Sequence, residues 1–364
     1  MEKIYYALGL MSGTSGDGVD SSVIKSDGKD QIFIEYNNYD PYPSNLSDEI
    51  HRIKEKIQKS TDLIKFSDEI NNLETKLTNF HAVLASKVIK SIKVDIIGFH
   101  GQTIFHDSDE KISRQIGLGN KLSEITKKIV VYDFRQNDLK NGGEGAPLAT
   151  IYHKILVKKL AKKGKIKVPV IILNVGGIAN ITIINENYEM TSMDIGPGNC
   201  LIDKWIRLNS DKKFDENGNL ARMGKIDKLI LDRILDKYYH NNTSKKKSLD
   251  TNDFDISFAR DLSLENGSAT ITEFTANVLS KKIFNNDVYV CGGGRKNKFL
   301  IEALENKILN KIILIDDLGI DGDFIESQAF AYLSIRSYLG LPISFPETTG
   351  CKEPSTGGII IENF

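Results

Sequence analysis

Twice in this chain a short apolar run breaks on a glycine-rich tip and resumes as a second apolar run, and no other feature narrows the fold as far. The first copy is Ile4-Tyr5-Tyr6-Ala7-Leu8-Gly9-Leu10, then the polar cluster Ser12-Gly13-Thr14-Ser15-Gly16-Asp17-Gly18, then Val19-Asp20-Ser21-Ser22-Val23-Ile24. The second, about 160 residues later, is the run 168–173, the tip Asn174-Val175-Gly176-Gly177 and the run 178–184. Short apolar runs bounded by turn residues read as strands, so each copy reads as a hairpin with a polar tip. A unit that recurs at this distance fits two lobes, each offering a backbone loop to one phosphate chain. Two unrelated hairpins would leave the same trace, and the pattern alone does not separate the readings.

Around these hairpins the chain alternates helix and strand. Lys, Glu, Leu and Ile at helical spacing predict helices over 46–93, with Ser47 as an N-cap. Buried-type strands are predicted at 94–99, 128–132 and 288–290, and each ends on polar or glycine residues: His100-Gly101-Gln102-Thr103, Asp133-Phe134-Arg135 and Cys291-Gly292-Gly293-Gly294-Arg295. Open α/β sheets build their sites at such strand ends. At 364 residues the chain exceeds what one core usually supports, so two domains are expected. The expected division is a first lobe of 1–135 and a second of 136–364, with the tail near 340–364 packing back on the first. The lysine run Lys245-Lys246-Lys247 predicts a solvated loop.

The 48 basic and 49 acidic residues leave a net charge of −1, so no broad positive field would draw in nucleic acid or an anionic membrane. Phosphate binding must then be local. The N-terminus lacks the zones of a signal peptide, and no apolar run nears the ~18 residues that cross a bilayer, which together predict a cytoplasmic protein. Cys200, Cys291 and Cys351 are far apart without metal-ligand spacing. Cys200 reads as a small buried residue before it reads as a nucleophile.

The cluster 12–18 has the composition of a phosphate cradle, since glycines let backbone N–H groups approach oxygens. It is not a Walker loop, because it has no lysine and a strand, not a helix, follows. Glycine tips also simply make tight hairpins. Asp17 and Asp20 suit Mg²⁺, which takes one or two carboxylates and keeps waters, though either also suits a turn. His100, Gln102 and Arg135 supply donors at strand ends, and Arg135 has the fork that grips a carboxylate. Met193-Asp194-Ile195-Gly196-Pro197-Gly198-Asn199 sets a carboxylate before a Gly-Pro-Gly turn, with Asn199 capping a helix over 200–208. Asp194 is thereby the best candidate for a base, and a capping aspartate is its plain alternative. Glu326 opens a helix and reads first as a partner of its dipole.

Taken in order, these segments resemble the anhydro-N-acetylmuramic acid kinase family. The motifs that carry the resemblance are Gly9-Leu10-Met11-Ser12-Gly13-Thr14-Ser15-Gly16-Asp17-Gly18-Val19-Asp20, Gly98-Phe99-His100-Gly101-Gln102-Thr103, Asp133-Phe134-Arg135, Gly142-Gly143-Glu144-Gly145-Ala146-Pro147-Leu148, Asn174-Val175-Gly176-Gly177-Ile178-Ala179-Asn180, Asp194-Ile195-Gly196-Pro197-Gly198-Asn199, Cys291-Gly292-Gly293-Gly294 and Thr348-Thr349-Gly350. The resemblance implies a two-lobed, actin- and hexokinase-like α/β kinase fold, with ATP and sugar in the interdomain cleft and Mg²⁺ on the phosphates. It implies hydrolysis of the 1,6-anhydro bridge of the sugar while O6 takes the γ-phosphoryl group, as part of cell-wall recycling.

By the same resemblance Asp194 would activate the water. Gly13, Thr14, Ser15, Gly16, Asp17, Gly18, Val19 and Asp20, with Gly176 and Gly177, would receive the phosphates, Asp17 and Asp20 sharing the metal. Gly292, Gly293 and Gly294 would lie under the nucleoside, and His100, Gln102, Arg135 and Glu326 would contact the sugar. A small-molecule substrate and, at most, a second copy of the chain are the expected partners. Where family members often carry a Pro-Lys-Ser-Thr-Gly-Arg-Glu-like segment, this chain has Lys246-Lys247-Ser248-Leu249-Asp250-Thr251. The competing readings are a kinase for another sugar, an actin-like assembly protein, and a glycoside hydrolase acting without ATP.

Overall fold

The computed structural model describes residues 3–241, 248–284 and 286–364, so Lys245, Lys246 and Lys247 lie outside the described residues. The chain divides into two compact units, Met1–Ile166 with Phe324–Phe364, and Lys167–Asp323. The first unit therefore runs past the expected end at 135. The reason is the helix Thr150–Lys162, whose buried face includes Ile151, Tyr152, Ile155 and Leu156. It packs against the helix Ile325–Tyr338, where Tyr152 donates a 2.6 Å hydrogen bond to Gln328 Oε1.

The sheet of the first unit contains β1 (Tyr5–Ser12), β2 (Gly18–Ser26), β3 (Ile32–Pro41), β4 (Ile96–Asp107), β5 (Ile112–Ile116) and β6 (Ile129–Tyr132). That of the second contains β7 (Val170–Val175), β8 (Ile178–Ile184), β9 (Met190–Pro197), β10 (Asp287–Cys291) and β11 (Ile312–Leu314), and β12 (Ile359–Ile361) returns to the first. In the first sheet β3-β2-β1 run antiparallel, and β4 then β6 add in parallel. In the second, β9-β8-β7 run antiparallel, and β10 then β11 add in parallel. The hairpins recognised in the sequence are thus the first two strands of two sheets with one topology. The tail pairs β12 antiparallel with β6, with Ile359 opposite Tyr132.

Core formation follows from the apolar spacing. Ile50 and Ile53, on the helix Ser44–Lys56, and Leu73 and Leu77, on the helix Ser67–Ser91, lie one turn apart. They bury in one cluster with Leu8, Leu10 and Phe99. The helix Ile325–Tyr338 is buried on nearly every side. It lies so close to β1 and β4 that a Cβ on Gly9 would come within 1.9 Å of Ser327 O, and one on Gly98 within 2.3 Å of Phe330 O. Ser47 is not an N-cap. That helix starts at Ser44 behind Pro43, and the Ser47 hydroxyl instead donates to Gly16 O at 3.0 Å. Among the described residues no helix is long and apolar enough to cross a membrane.

Candidate active site

Parallel pairing of β1 with β4 sets Ser12, the last residue of β1, beside Gln102; the strand expected to end at 99 instead runs on to Asp107, because from Gln102 onward it pairs antiparallel with β5. Gln102 is fully buried, and its amide ties down the loop that follows β1: Oε1 accepts from Ser12 Oγ at 2.6 Å and Nε2 donates to Gly13 O at 2.9 Å. Tyr42, at the end of β3, donates to the same Ser12 hydroxyl at 3.0 Å, and burial pushes its phenol well above the usual value. Gly16 N–H closes a turn onto Gly13 O, Tyr42 N–H bonds Asp17 O, and Lys54 Nζ bonds Thr14 O. The loop is therefore pinned from three sides while its tip, Thr14 and Ser15, stays exposed. A Cβ on Gly13 would meet no atom within 4 Å, whereas one on Gly18 would strike Asp40 O and the Tyr39 ring at 2.6 Å. Gly13 thus borders open space where a ligand can approach the backbone.

Asp17 and Asp20 are half-buried at the far side of this loop, and Val19, between them, is fully buried. Burial, helped by the charges of Asp17 and Asp20, pushes the Tyr39 phenol up. Among the described residues no group of three or more His, Cys, Asp or Glu side chains is arranged to hold a metal. Two carboxylates beside an open loop suit the chemistry of Mg²⁺, which fills its remaining positions with water and ligand oxygens.

His100 and Arg135 form a second cluster in this unit. His100 Nδ1 faces Gly101 O at 2.9 Å and must donate; Nε2 faces Arg135 Nη2 at 2.9 Å and must accept. Burial, with the guanidinium beside it, pushes the imidazole down to about 3, so it stays neutral. Arg135 Nη1 donates to Gly145 O at 2.8 Å. The fork that the sequence aimed at a carboxylate is thus oriented by an imidazole and a carbonyl. Glu326 sits in the first turn of the helix Ile325–Tyr338, half-buried.

In the second unit the glycine segments meet at the ends of parallel β7 and β10, where Cys291 pairs with Asn174. A Cβ on Gly292 would fall 2.4 Å from Asn174 Oδ1, and one on Gly294 2.2 Å from Val175 Cγ1, so only bare backbone fits there. Gly293 is the exception, with only Asn199 Nδ2 near, at 3.9 Å. Buried Arg295 fixes this turn by donating to Gly292 O, to both Asp316 oxygens at 2.6 and 2.9 Å, and to Asp323 at 2.6 Å. Gly176 and Gly177 turn their carbonyls onto the amides of Gly198, Asn199 and Cys200 at 2.8–3.1 Å. Asn199 occupies the N-cap of the helix Cys200–Asn209 but makes no side-chain capping bond; of the helix's own amides, that of Cys200 goes to the Gly177 carbonyl.

Asp194 does not precede a free turn. It lies within β9, opposite Asn180, because Gly196 and Pro197 extend the strand by pairing with Ala179 and Ile178. Its Oδ2 accepts a 2.8 Å hydrogen bond from the Leu249 amide. The segment that departs from the family pattern thus reaches the carboxylate through its backbone, next to buried Ser248. Burial pushes the Cys200 thiol up to about 12, which keeps it protonated near neutral pH. The sequence reading missed Tyr42 and the Leu249 amide. Tyr42 belongs to no motif, and Leu249 lies in the segment that departs from the family pattern; only chain packing brings their groups to these contacts.

The family model for anhydro-N-acetylmuramic acid kinase matches residues 5–363. The anhydro-N-acetylmuramic acid kinase of Pelagibacter ubique (strain HTCC1062) is 47% identical over 379 residues, covering 100% of both chains. That of Agrobacterium fabrum (strain C58 / ATCC 33970) is 35% identical over 99% of this chain and 100% of its own. Among solved structures, a ROK family glucokinase from Streptomyces griseus in complex with glucose and AMPPNP aligns over 90% of this chain and 99% of its own, at 12% identity and a TM-score of 0.40. That loose likeness says nothing about substrate. The match over nearly every residue, with the motifs of both units in order, makes this chain a member of the anhydro-N-acetylmuramic acid kinase family.

Proposed function

We propose that this chain is a cytoplasmic, Mg²⁺-dependent kinase of cell-wall recycling that converts 1,6-anhydro-N-acetylmuramic acid, ATP and water into N-acetylmuramic acid 6-phosphate and ADP. The observation that carries the reading is family membership over the whole chain. In this reaction a water oxygen bonds to C1 of the sugar and the C1–O6 bond breaks. O6 bonds to the γ-phosphorus, whose bond to the β–γ bridging oxygen breaks, and the proton lost by the water goes to a base.

Asp194 is that base. The Leu249 amide holds one carboxylate oxygen in a fixed direction. The pinned backbone of the 13–20 loop takes phosphate oxygens beside Gly13, and Gly176 and Gly177 are further backbone contacts for phosphate. Asp17 and Asp20 would hold Mg²⁺, which when bound neutralises phosphate charge. The turn at Gly292, Gly293 and Gly294 carries the nucleoside, with Gly293 as the point of approach. Arg135, oriented by neutral His100, anchors the lactyl carboxylate, and Glu326 supplies a further sugar contact. Gln102 acts through the phosphate loop that it braces.

The test is to incubate the protein with ATP, Mg²⁺ and the anhydro sugar and to follow phosphorus and proton NMR spectra. Formation of ADP and a ring-opened 6-phosphosugar in equal amounts is expected. Ring opening without ATP would mark a glycoside hydrolase, and better turnover of an anhydro sugar lacking the lactyl group would mark a kinase for another substrate.

A further inference from the structure

Two family-like motifs, Gly142-Gly143-Glu144-Gly145 and Thr348-Thr349-Gly350, have no part in the chemistry above, yet they meet at one buried carboxylate. Asp138, in the short helix Gln136–Lys140, is 1% exposed. Its Oδ2 accepts from Gly145 N–H at 2.7 Å and its Oδ1 from Thr349 Oγ1 at 2.6 Å. A buried carboxylate is tolerated only with such donors. The two motifs also join directly, since Glu144 N–H bonds Thr349 O at 2.9 Å. Gly143 N–H bonds Asp138 O, and a Cβ on Gly143 would fall 2.2 Å from Asp138 Oδ2, so the position admits only glycine while the carboxylate stays in place. Lys111 Nζ adds a third hold, donating to Gly142 O at 3.1 Å and Gly143 O at 2.8 Å.

All of this fixes the residue whose carbonyl receives Arg135. Gly145 O takes Nη1 at 2.8 Å while His100 takes Nη2, so the direction of the guanidinium depends on where Gly145 sits. We infer that Asp138, latched by Thr349, is a positioning residue for Arg135, and that the C-terminal Thr348-Thr349-Gly350 motif serves the sugar site through this buried relay. The inference deepens the proposed function and rests on its assignment of Arg135 to the sugar carboxylate.

The experiment measures KM for 1,6-anhydro-N-acetylmuramic acid and for ATP, with thermal midpoints, for the Asp138→Asn, Thr349→Val, Thr349→Ser and Arg135→Ala variants and for the Arg135→Ala/Thr349→Val pair. Asn can accept from only one of the two donors, and Val keeps the shape of Thr without its hydroxyl. Both should raise the sugar KM by about 10- to 100-fold, the cost of a slightly misplaced binding group, and leave the ATP KM within about twofold. Thr349→Ser should restore the sugar KM. In the Arg135→Ala background, Thr349→Val should add nothing further, because the group that it positions is gone. If Arg135→Ala raises the sugar KM while Thr349→Val does not, or the two effects multiply, the relay is overturned and the Arg135 assignment stands. If Arg135→Ala leaves the sugar KM unchanged, the assignment itself fails and the inference with it. Should Asp138→Asn not fold, the Thr349 pair decides alone.

Discussion

Gly13→Val separates what the fold requires of the phosphate loop from what the ligand requires. The position tolerates a side chain as far as the protein is concerned, because no atom lies within 4 Å of the added Cβ. Gly13 is also absent from the positive-φ residues. Replacing a glycine at an unstrained site usually stabilises by ~0.4–1 kcal/mol through the unfolded chain. Thermal stability should therefore hold or rise slightly. ATP should suffer, because the new branch stands in the open space where backbone and phosphate meet. Loss of one hydrogen bond to a charged group costs ~1.5–3 kcal/mol, or about 10- to 150-fold in affinity. Titration calorimetry with ATP, beside a melting curve, measures both numbers. Gly18→Ala is the contrast: its Cβ would overlap Asp40 O at 2.6 Å, so it should lose stability as well. A Gly13→Val protein that melts normally and binds ATP with unchanged affinity would refute the loop assignment.

Asp194→Asn keeps the shape and the Leu249 hydrogen bond but removes the basicity, so kcat should fall by about 10²- to 10⁴-fold with both KM values nearly unchanged; a change confined to KM would make Asp194 a binding group. Gln102→Leu leaves Ser12 Oγ and Gly13 O without their amide partner and should raise the ATP KM more than the sugar KM, whereas the reverse would return Gln102 to the sugar. Acid should destabilise the protein well before its carboxylates protonate. Burial pushes His100 down to about 3 and His81, His106 and His153 down to about 4. These groups are neutral in the fold but take up protons in the unfolded chain below its ~6.5 pKa. Stability is thus fully present above that value and falls as pH drops toward 4, by up to ~1.4 kcal/mol per pH unit for each histidine. Urea midpoints that stay flat from pH 7 to 4.5 would contradict this.

The sequence exposes those parts of the fold that repeat or run apolar. Both hairpins were legible because β1 and β7 are continuous apolar runs stopped by glycine tips, and Arg135 because it follows the end of buried β6, whereas His100 and Gln102 lie inside β4, whose continuation to Asp107 depends on its pairing with β5. The unit boundary was not, since it depends on Tyr152 reaching Gln328, a contact 176 residues apart. The setting of Asp194 was misjudged: Gly196-Pro197 has the composition of a turn, yet pairing with β8 carries the strand through it. The roles of Tyr42, Asp138 and Thr349 depend on single distant partners and leave no local pattern. Asn199 has the residue type of a cap, yet its side chain makes no capping bond, and its own amide is held by the Gly176 carbonyl.

The central claim, a hydrolytic ring opening coupled to phosphoryl transfer by one base, is tested most directly by running a single turnover in ¹⁸O-water and weighing the products. The sugar should carry one ¹⁸O at C1 beyond the slow anomeric exchange of a product control, and its phosphate none, with both the label and ADP formation lost together in Asp194→Asn. Label in phosphate, or ADP formed by the variant without ring opening, would mean that water attacks phosphorus and that Asp194 does not couple the two steps.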